Sequence, residues 1–114
     1  MPGQFVVHGD SATEPEFFVA NALDKLKIPY IFQYVLWGGS YIRGGVKIDF
    51  LVKNPFAVPV EIFGNYWHSG QFDGDDKLRM ARIRDHFKRD VVIFWGNELE
   101  TQEMADNIVR QKLG

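Results

Sequence analysis

Asp49 and Glu61 are the residues whose types and spacing most directly suggest chemistry. Asp49 lies in a stretch of alternating apolar residues that is typical of a β-strand. Glu61 lies in the predicted strand from Val58 to Phe63, which follows it along the chain. A hairpin with its register symmetric about Pro55 places the two carboxylates opposite each other, with Cβ atoms about 4.5–5.5 Å apart. Two such carboxylates repel each other unless a cation neutralises them, and Mg²⁺ does this while keeping several waters. The pair therefore predicts a site for a hard divalent cation.

The same pair has a second interpretation that needs no metal ion. Lys47 lies on the same face of its strand as Asp49 and would neutralise the carboxylates as an ordinary ion pair. The predicted turn from Lys53 to Ala57 is not a two-residue turn of fixed geometry, so the register can also slip. Spacing alone leaves both interpretations open.

The rest of the chain predicts the helices and strands that position this pair. Thr13 and Glu16 have the spacing of a helix N-cap with its capping box, and Pro29 stops that helix. The order α-β-β-β-α-β-α predicts one α/β domain over residues 1–114, with a mixed central sheet flanked by helices. In chain order, the predicted elements are this first helix, strands at 31–37, 46–52 and 58–63, a helix from Asp75 or Asp76 to about Lys88, a strand at 91–95 and a last helix that begins at Asn97 or Thr101.

Apolar spacing also predicts which residues face the core. Val91 to Trp95 is a nearly continuous apolar run, as in a buried central strand. The inward-facing residues of the last two helices are predicted to be Met80, Ile83, Phe87, Met104, Ile108 and Leu113.

Composition excludes several classes of protein. The 114 residues include no cysteine, which excludes disulfides and thiolate metal sites and is compatible with a reducing cytoplasm. No apolar run approaches the length of a membrane span, and residues 1–10 lack the features of a signal peptide, so we expect a cytoplasmic protein with no membrane partner. The net charge of −2 argues against a globally basic nucleic-acid binder.

A local excess of positive charge lies in the second predicted helix. Six basic residues and one acidic residue lie in the segment from Lys77 to Arg89. Arg79 and Arg82, on one face of this helix, are candidates for contacts with phosphates, and a solvated helix face is the alternative.

Two segments around the acidic pair carry a resemblance to a known family. They are Gly45-Val46-Lys47-Ile48-Asp49-Phe50-Leu51 and Val60-Glu61-Ile62-Phe63-Gly64-Asn65-Tyr66-Trp67-His68. With an acid in the first helix, and a basic helix and a strand after them, these segments resemble the PD-(D/E)XK nuclease superfamily. More narrowly, they resemble its very short patch repair endonucleases, and the aromatic-Trp-His triplet after the glutamate strand is the most specific part of this resemblance.

The resemblance implies a restriction-endonuclease-like fold and a Mg²⁺-dependent DNA endonuclease, with Mn²⁺ able to substitute for Mg²⁺. Such an enzyme nicks or cuts DNA at a specific site or structure. By this resemblance Asp49, Glu61 and the backbone carbonyl of Ile62 are ligands of the metal. His68 matches the histidine that these enzymes place beside the attacking water, and it would act as the base.

The resemblance also implies contacts with DNA and a supporting acid. Tyr66 and Trp67 match aromatic residues that wedge into the base stack beside the target site. Gln33 matches a glutamine of related nucleases. Glu16 matches the acid that superfamily members often carry in the first helix, where it ligates metal or water, and its place in a capping box with Thr13 is an equal alternative.

The sequence departs from the family at the third motif position, where Phe63 replaces the usual lysine. Phenylalanine can neither orient a water nor stabilise a developing oxyanion. Lys77, at the start of the basic helix, is a candidate to bring a displaced ammonium group to the site. Alternatively, the domain is a catalytically impaired DNA-binding or protein-interaction module in which Phe63 closes the site. A resolvase of branched DNA is a third possibility, and since such enzymes usually act as dimers, a homodimer or larger complex also stays open.

Overall fold

A mixed four-stranded sheet with helices packed against it forms the centre of the protein. The computed structural model describes residues 5–39, 45–64 and 74–114. Within these residues the helices and strands follow the predicted order from the first helix onward, preceded by a short two-stranded ladder that the sequence did not predict. The elements are β1 (Val6–Val7), β2 (Asp10–Ser11), α1 (Glu14–Lys25), β3 (Tyr30–Leu36), β4 (Val46–Lys53), β5 (Ala57–Phe63), α2 (Gly74–Phe87), β6 (Val92–Trp95), a 3₁₀-helix (Gly96–Glu98) and α3 (Gln102–Leu113).

The four strands of the main sheet lie in the order β3-β4-β5-β6. The β3–β4 and β4–β5 pairs are antiparallel, and the β5–β6 pair is parallel, so the sheet is mixed as predicted. The position of β6 differs from the prediction, because in the described sheet it pairs with β5 alone and is not a central strand. Its apolar run has another cause: Phe94 lies in the main core, while Trp95 packs against Phe63 of the neighbouring strand.

The ends of the helices follow from their capping residues. Thr13 caps α1, its side chain accepts a hydrogen bond from the Glu16 N–H, and the Glu16 carboxylate accepts one from the Thr13 N–H. α1 ends at Lys25, before Pro29, and Lys27 then adopts a left-handed conformation with φ of 59°. Thr101 caps α3, which decides between the two predicted starts of that helix.

The prediction of inward-facing residues was correct in part. Ile83 of α2 is fully buried, and Met80 and Phe87 are half-buried. In α3 the prediction for Met104 was wrong, because its side chain is 38% exposed. The buried stripe of α3 is instead formed by residues four positions apart, with half-buried Ile108 beside them. These residues are Ala105, Val109 and Leu113.

The core has two parts that meet different helices. The larger part packs α1 and α3 against the sheet, with Leu23 and Phe94 fully buried at its centre. In the smaller part, Ile83 of α2 packs against the end of β3 and the start of β4. The boundary between the two parts of the core crosses β3 and β4. The paired residues Phe32 and Phe50 belong to the larger part. The next pair along the ladder, Tyr34 and Ile48, belongs to the smaller part.

In the described part of the chain, we find no helix of the length and apolar character that crossing a membrane requires.

Candidate functional site

The hairpin of β4 and β5 has the register that the sequence predicts. Phe50 pairs with Val60, and Lys53 pairs with Ala57, so the ladder is symmetric about Pro55. The next position along the ladder belongs to Asp49 and Glu61, which therefore lie opposite each other on neighbouring strands. The structure thus brings together the two residues on which the predicted cation site depends.

The two carboxylates replace backbone partners at this point of the hairpin. Glu61 Oε2 accepts a hydrogen bond of 3.1 Å from the Asp49 N–H. Asp49 Oδ2 accepts one of 2.8 Å from the Ile62 N–H. Because each carboxylate is bound to the backbone of the opposite strand, both side chains are fixed in position. The proposed role of the Ile62 carbonyl as a metal ligand stays a prediction.

The β3–β4 ladder is interrupted at the same level. Its paired residues run regularly on both sides of this level, but Gln33 and Asp49 form no pair. Gln33 has a φ of 56°, a left-handed conformation that is costly for a residue other than glycine and that often marks a functional site. Gln33, Asp49 and Glu61 therefore occupy corresponding positions on three adjacent strands, and the predicted Gln33 lies beside the acidic pair.

Arg79 of α2 is the cation that neutralises Glu61. The Glu61 residue is only 3% exposed, and a buried carboxylate is costly unless it is paired. Arg79 Nη1 lies 2.7 Å from Glu61 Oε1. Lys47, the partner in the metal-free interpretation of the sequence, is exposed and forms no ion pair with a described residue. The ion pair therefore exists, but with a residue that spacing along the strands did not indicate.

The environment of the pair favours the protonated forms of both acids. Burial raises the pKa of Asp49 to about 7, and the negative charges of Glu61 and, more weakly, Glu16 act in the same direction. Burial also raises the pKa of Glu61, while the ion pair with Arg79 opposes this increase. The charge of Asp76 also raises the pKa of Glu61, so the Arg79 guanidinium stands among four carboxylates, and the site keeps an excess of negative charge when all four are ionised.

The donor set fits a small, hard divalent cation. Mg²⁺ typically uses one or two carboxylates and fills the rest of its coordination sphere with waters and substrate oxygens. Within the described part of the chain, no hydrogen-bond donor contacts the second oxygen of Asp49, Oδ1. Across residues 5–39, 45–64 and 74–114, no three His, Cys, Asp or Glu side chains are grouped as a complete metal cage. Two carboxylates with one open oxygen are suited to a partly hydrated ion, and not to a structural site of protein ligands alone.

Glu16 has the capping role that the sequence left open, and its role as a ligand of metal or water stays a prediction. It completes the capping box of α1 with Thr13. It also lies near enough to Asp49 for its charge to raise the pKa of that residue. The cap holds Glu16 at the edge of the acidic pair, so the structural role and the electrostatic role are compatible.

Other predicted residues lie away from the pair or outside the described residues. Lys77 is exposed and has no ion pair with Asp49 or Glu61, so the cation that contacts the pair is Arg79, and a catalytic role for Lys77 stays a prediction. Phe63 is half-buried and packs against Trp95, with ring centroids 5.8 Å apart. The aromatic-Trp-His triplet at 66–68 lies outside the residues that the structure describes.

Arg79 could have been found from the sequence by its position on α2. It lies four residues before Ile83, which the apolar pattern places on the inward face, and residues four apart share a helix face. An arginine on that face, preceding the buried residue, is a candidate partner for an acid of the sheet. We predicted it as a candidate for phosphate contacts, with a solvated helix face as the alternative, and not as a partner of Glu61, because the direction of the helix across the sheet cannot be known from periodicity.

The Arg79→Met variant is expected to destabilise the protein by about 2–3 kcal/mol near neutral pH, because it leaves Glu61 buried without its counter-ion. The loss should shrink at acidic pH, because burial raises the pKa of Glu61 and a protonated Glu61 needs no partner. Urea denaturation at both pH values measures the effect. Arg84→Met is the matched control, because Arg84 is an exposed arginine of the same helix. Equal losses of stability in the two variants would contradict the assignment of Arg79.

In comparisons with known proteins, no family model, no curated protein and no solved structure matches this chain.

Proposed function

We propose that this domain is a metal-dependent nuclease of the PD-(D/E)XK kind that hydrolyses phosphodiester bonds in DNA. The observation that carries the proposal is the Asp49–Glu61 pair. Its two carboxylates are adjacent, bound to each other's strands, and located where the ladder of the sheet is interrupted. A protein whose only need was stability would gain little from two buried acids that repel each other.

The arrangement of the elements supports the same proposal. The acids of the proposed motif lie on the two strands of one hairpin, an acid of the first helix lies near them, and a basic helix follows. This arrangement is the one that the resemblance to restriction-endonuclease-like domains implies. The particular resemblance to the very short patch repair endonucleases rests on the sequence of residues 60–68.

The residues at the site would share the work of hydrolysis. Asp49 and Glu61 would hold the cation, and Glu16 would accept a hydrogen bond from one of its waters. A divalent cation bound there supplies a Lewis acid that stabilises negative charge on the phosphate. Arg79 would exchange its contact with Glu61 for a non-bridging phosphate oxygen, which a guanidinium can bind through two N–H groups. His68 keeps its predicted role as the base.

A second candidate function is supported by two observations. Arg79 already supplies a positive charge to Glu61 without any metal ion. Phe63 occupies the usual lysine position and packs against Trp95. Both features fit a domain that retains the nuclease fold and binds DNA or protein without cleaving it.

The test of the proposal is cleavage by the wild-type protein. Supercoiled plasmid, single-stranded DNA and branched DNA are incubated with Mg²⁺ or Mn²⁺, with EDTA as the control. Metal-dependent cleavage of any of them supports the nuclease and identifies its class of substrate. Binding without cleavage of all three, in both metals, favours the second candidate.

A further inference from the structure

We infer that Trp37, Arg82 and His86 form a binding site for single-stranded DNA beside the carboxylate pair. The inference rests on the proposed function for the identity of the polymer. The three residues lie at the end of β3 and on α2, and they are called the Trp37 site below. Neither Trp37 nor His86 is among the candidate site residues predicted from the sequence.

Trp37 is exposed and is held in place by its neighbours. The residue is 39% exposed, although a tryptophan side chain is on average largely buried. The guanidinium of Arg82 lies 4.4 Å from the centre of the indole ring. The imidazole of His86 meets the same ring edge-on, with centroids 5.5 Å apart and the planes at 85°. The indole is therefore fixed at the surface and not folded into the core.

The backbone supports this exposed position. Trp37 has a φ of 54°, and Gly38 and Gly39 follow with φ of 89° and 60°. A left-handed conformation is costly for a bulky residue, and such strain is retained where the surrounding structure fixes it. The apolar contacts of the core do not explain the conformation, since Trp37 belongs to neither part of the core.

Arg82 is half-buried, with its guanidinium over the indole ring of Trp37. No acidic side chain among the described residues forms an ion pair with it. Stacking on the indole fixes the plane of the guanidinium, so less conformational entropy is lost when its N–H groups bind a ligand. A fixed guanidinium with free N–H groups is suited to the oxygens of a phosphate.

The Trp37 site is continuous with the acidic pair. Arg79, Arg82 and His86 lie along one side of α2 at intervals of three and four residues. Arg79 contacts Glu61 at one end of this stripe, and His86 contacts Trp37 at the other. A phosphate backbone that follows the stripe therefore passes from the carboxylate pair to the indole.

The chemistry of the site selects single-stranded over double-stranded DNA. Basic residues next to an exposed aromatic ring are the common means of binding single strands, because an unpaired base can stack on the ring while its phosphates meet the cations. In a duplex the bases are stacked on each other, and only the phosphates remain for Arg82. Duplex binding would therefore use the charge of the stripe and leave the indole without a partner.

The experiment is a titration of fluorescein-labelled oligonucleotides, single-stranded and hairpin duplex, followed by anisotropy in the presence of EDTA. Trp37→Ala and Arg82→Gln are expected to weaken binding of the single strand by about ten-fold. Duplex binding should change by about two-fold or less for Trp37→Ala. Arg84→Gln, which removes the same charge elsewhere on α2, is the matched control and should leave single-strand binding within about two-fold.

Three outcomes overturn the inference. They are unchanged single-strand binding by Trp37→Ala, equal losses for single strand and duplex, and an equal loss in Arg84→Gln. Arg82→Lys gives a second measurement if Trp37→Ala does not fold, because it keeps the charge and loses the planar stack; it should also weaken single-strand binding. EDTA separates this result from the proposed function. If the protein binds single-stranded DNA selectively but cleaves no substrate, the Trp37 site stands and the nuclease proposal fails. If the protein cleaves DNA and Trp37→Ala binds the single strand as the wild type does, the nuclease proposal stands and the Trp37 site fails.

Discussion

The rate of metal-dependent cleavage by the Asp49→Asn variant is expected to be about a thousand-fold or more below that of the wild type, and the rate for Glu61→Gln should fall by a similar factor. Each change removes one negative charge from the cation site and keeps an oxygen that can accept a hydrogen bond. The amide at position 49 can still accept from the Ile62 N–H, and the amide at position 61 from the Asp49 N–H. The loss should therefore come from chemistry and not from unfolding.

The measurement is the initial rate of cleavage, with the substrate and the metal ion that the wild-type protein uses. The matched control is Asp106→Asn, which also converts a carboxylate to an amide but lies in an exposed ion pair between α3 and α1. Its rate should stay within about two-fold of the wild type. Cleavage by both Asp49→Asn and Glu61→Gln at the wild-type rate would show that the acidic pair is not the catalytic centre.

The second large effect concerns stability in the absence of metal ions. The free energy of unfolding is expected to fall as the pH rises from about 4 to about 7, because of Asp49. In the folded protein the pKa of Asp49 is raised to about 7 by burial and by the neighbouring acids. In the unfolded chain the same group loses its proton near pH 4, at about 3.9. Between these values the folded state binds more protons, so a higher pH favours unfolding.

The Asp49→Asn variant isolates this contribution. At about pH 8 it should be more stable than the wild type by on the order of 2 kcal/mol, and near pH 4 the two proteins should differ little. Denaturant unfolding in EDTA across this range gives the difference directly. Adding Mg²⁺ or Mn²⁺ at the higher pH should stabilise the wild type and not the variant. A difference in stability that does not change with pH would contradict the raised pKa of Asp49.

The fold could be predicted to a useful degree because its signals are local. The capping box at Thr13, the alternation along β4, and the turn around Pro55 each depend on a few neighbouring residues. They were enough to predict the order of the elements and the hairpin register. The position of β6 in the sheet depends on pairing between strands that are far apart in the sequence. An apolar run does not distinguish a central strand from an edge strand that packs on both of its faces.

The site could be predicted in its acids but not in its cation. Asp49 and Glu61 face each other because one hairpin register determines both positions. Arg79 reaches Glu61 only because α2 crosses the sheet in a particular direction, which is fixed by the packing of Ile83 against β3 and β4. The interruption at Gln33 is equally invisible in the sequence, since glutamine has no special preference for a left-handed conformation.

Direct titration with Mn²⁺ tests whether Asp49 and Glu61 bind a divalent cation. Electron paramagnetic resonance of free Mn²⁺ at about pH 8, above the raised pKa of Asp49, measures occupancy without any need for catalysis. We expect saturable binding to the wild type, and affinities at least about ten-fold weaker in Asp49→Asn and in Glu61→Gln. Asp106→Asn should bind as the wild type does. Wild-type affinity in both site variants, or no saturable binding by the wild-type protein, would contradict the account.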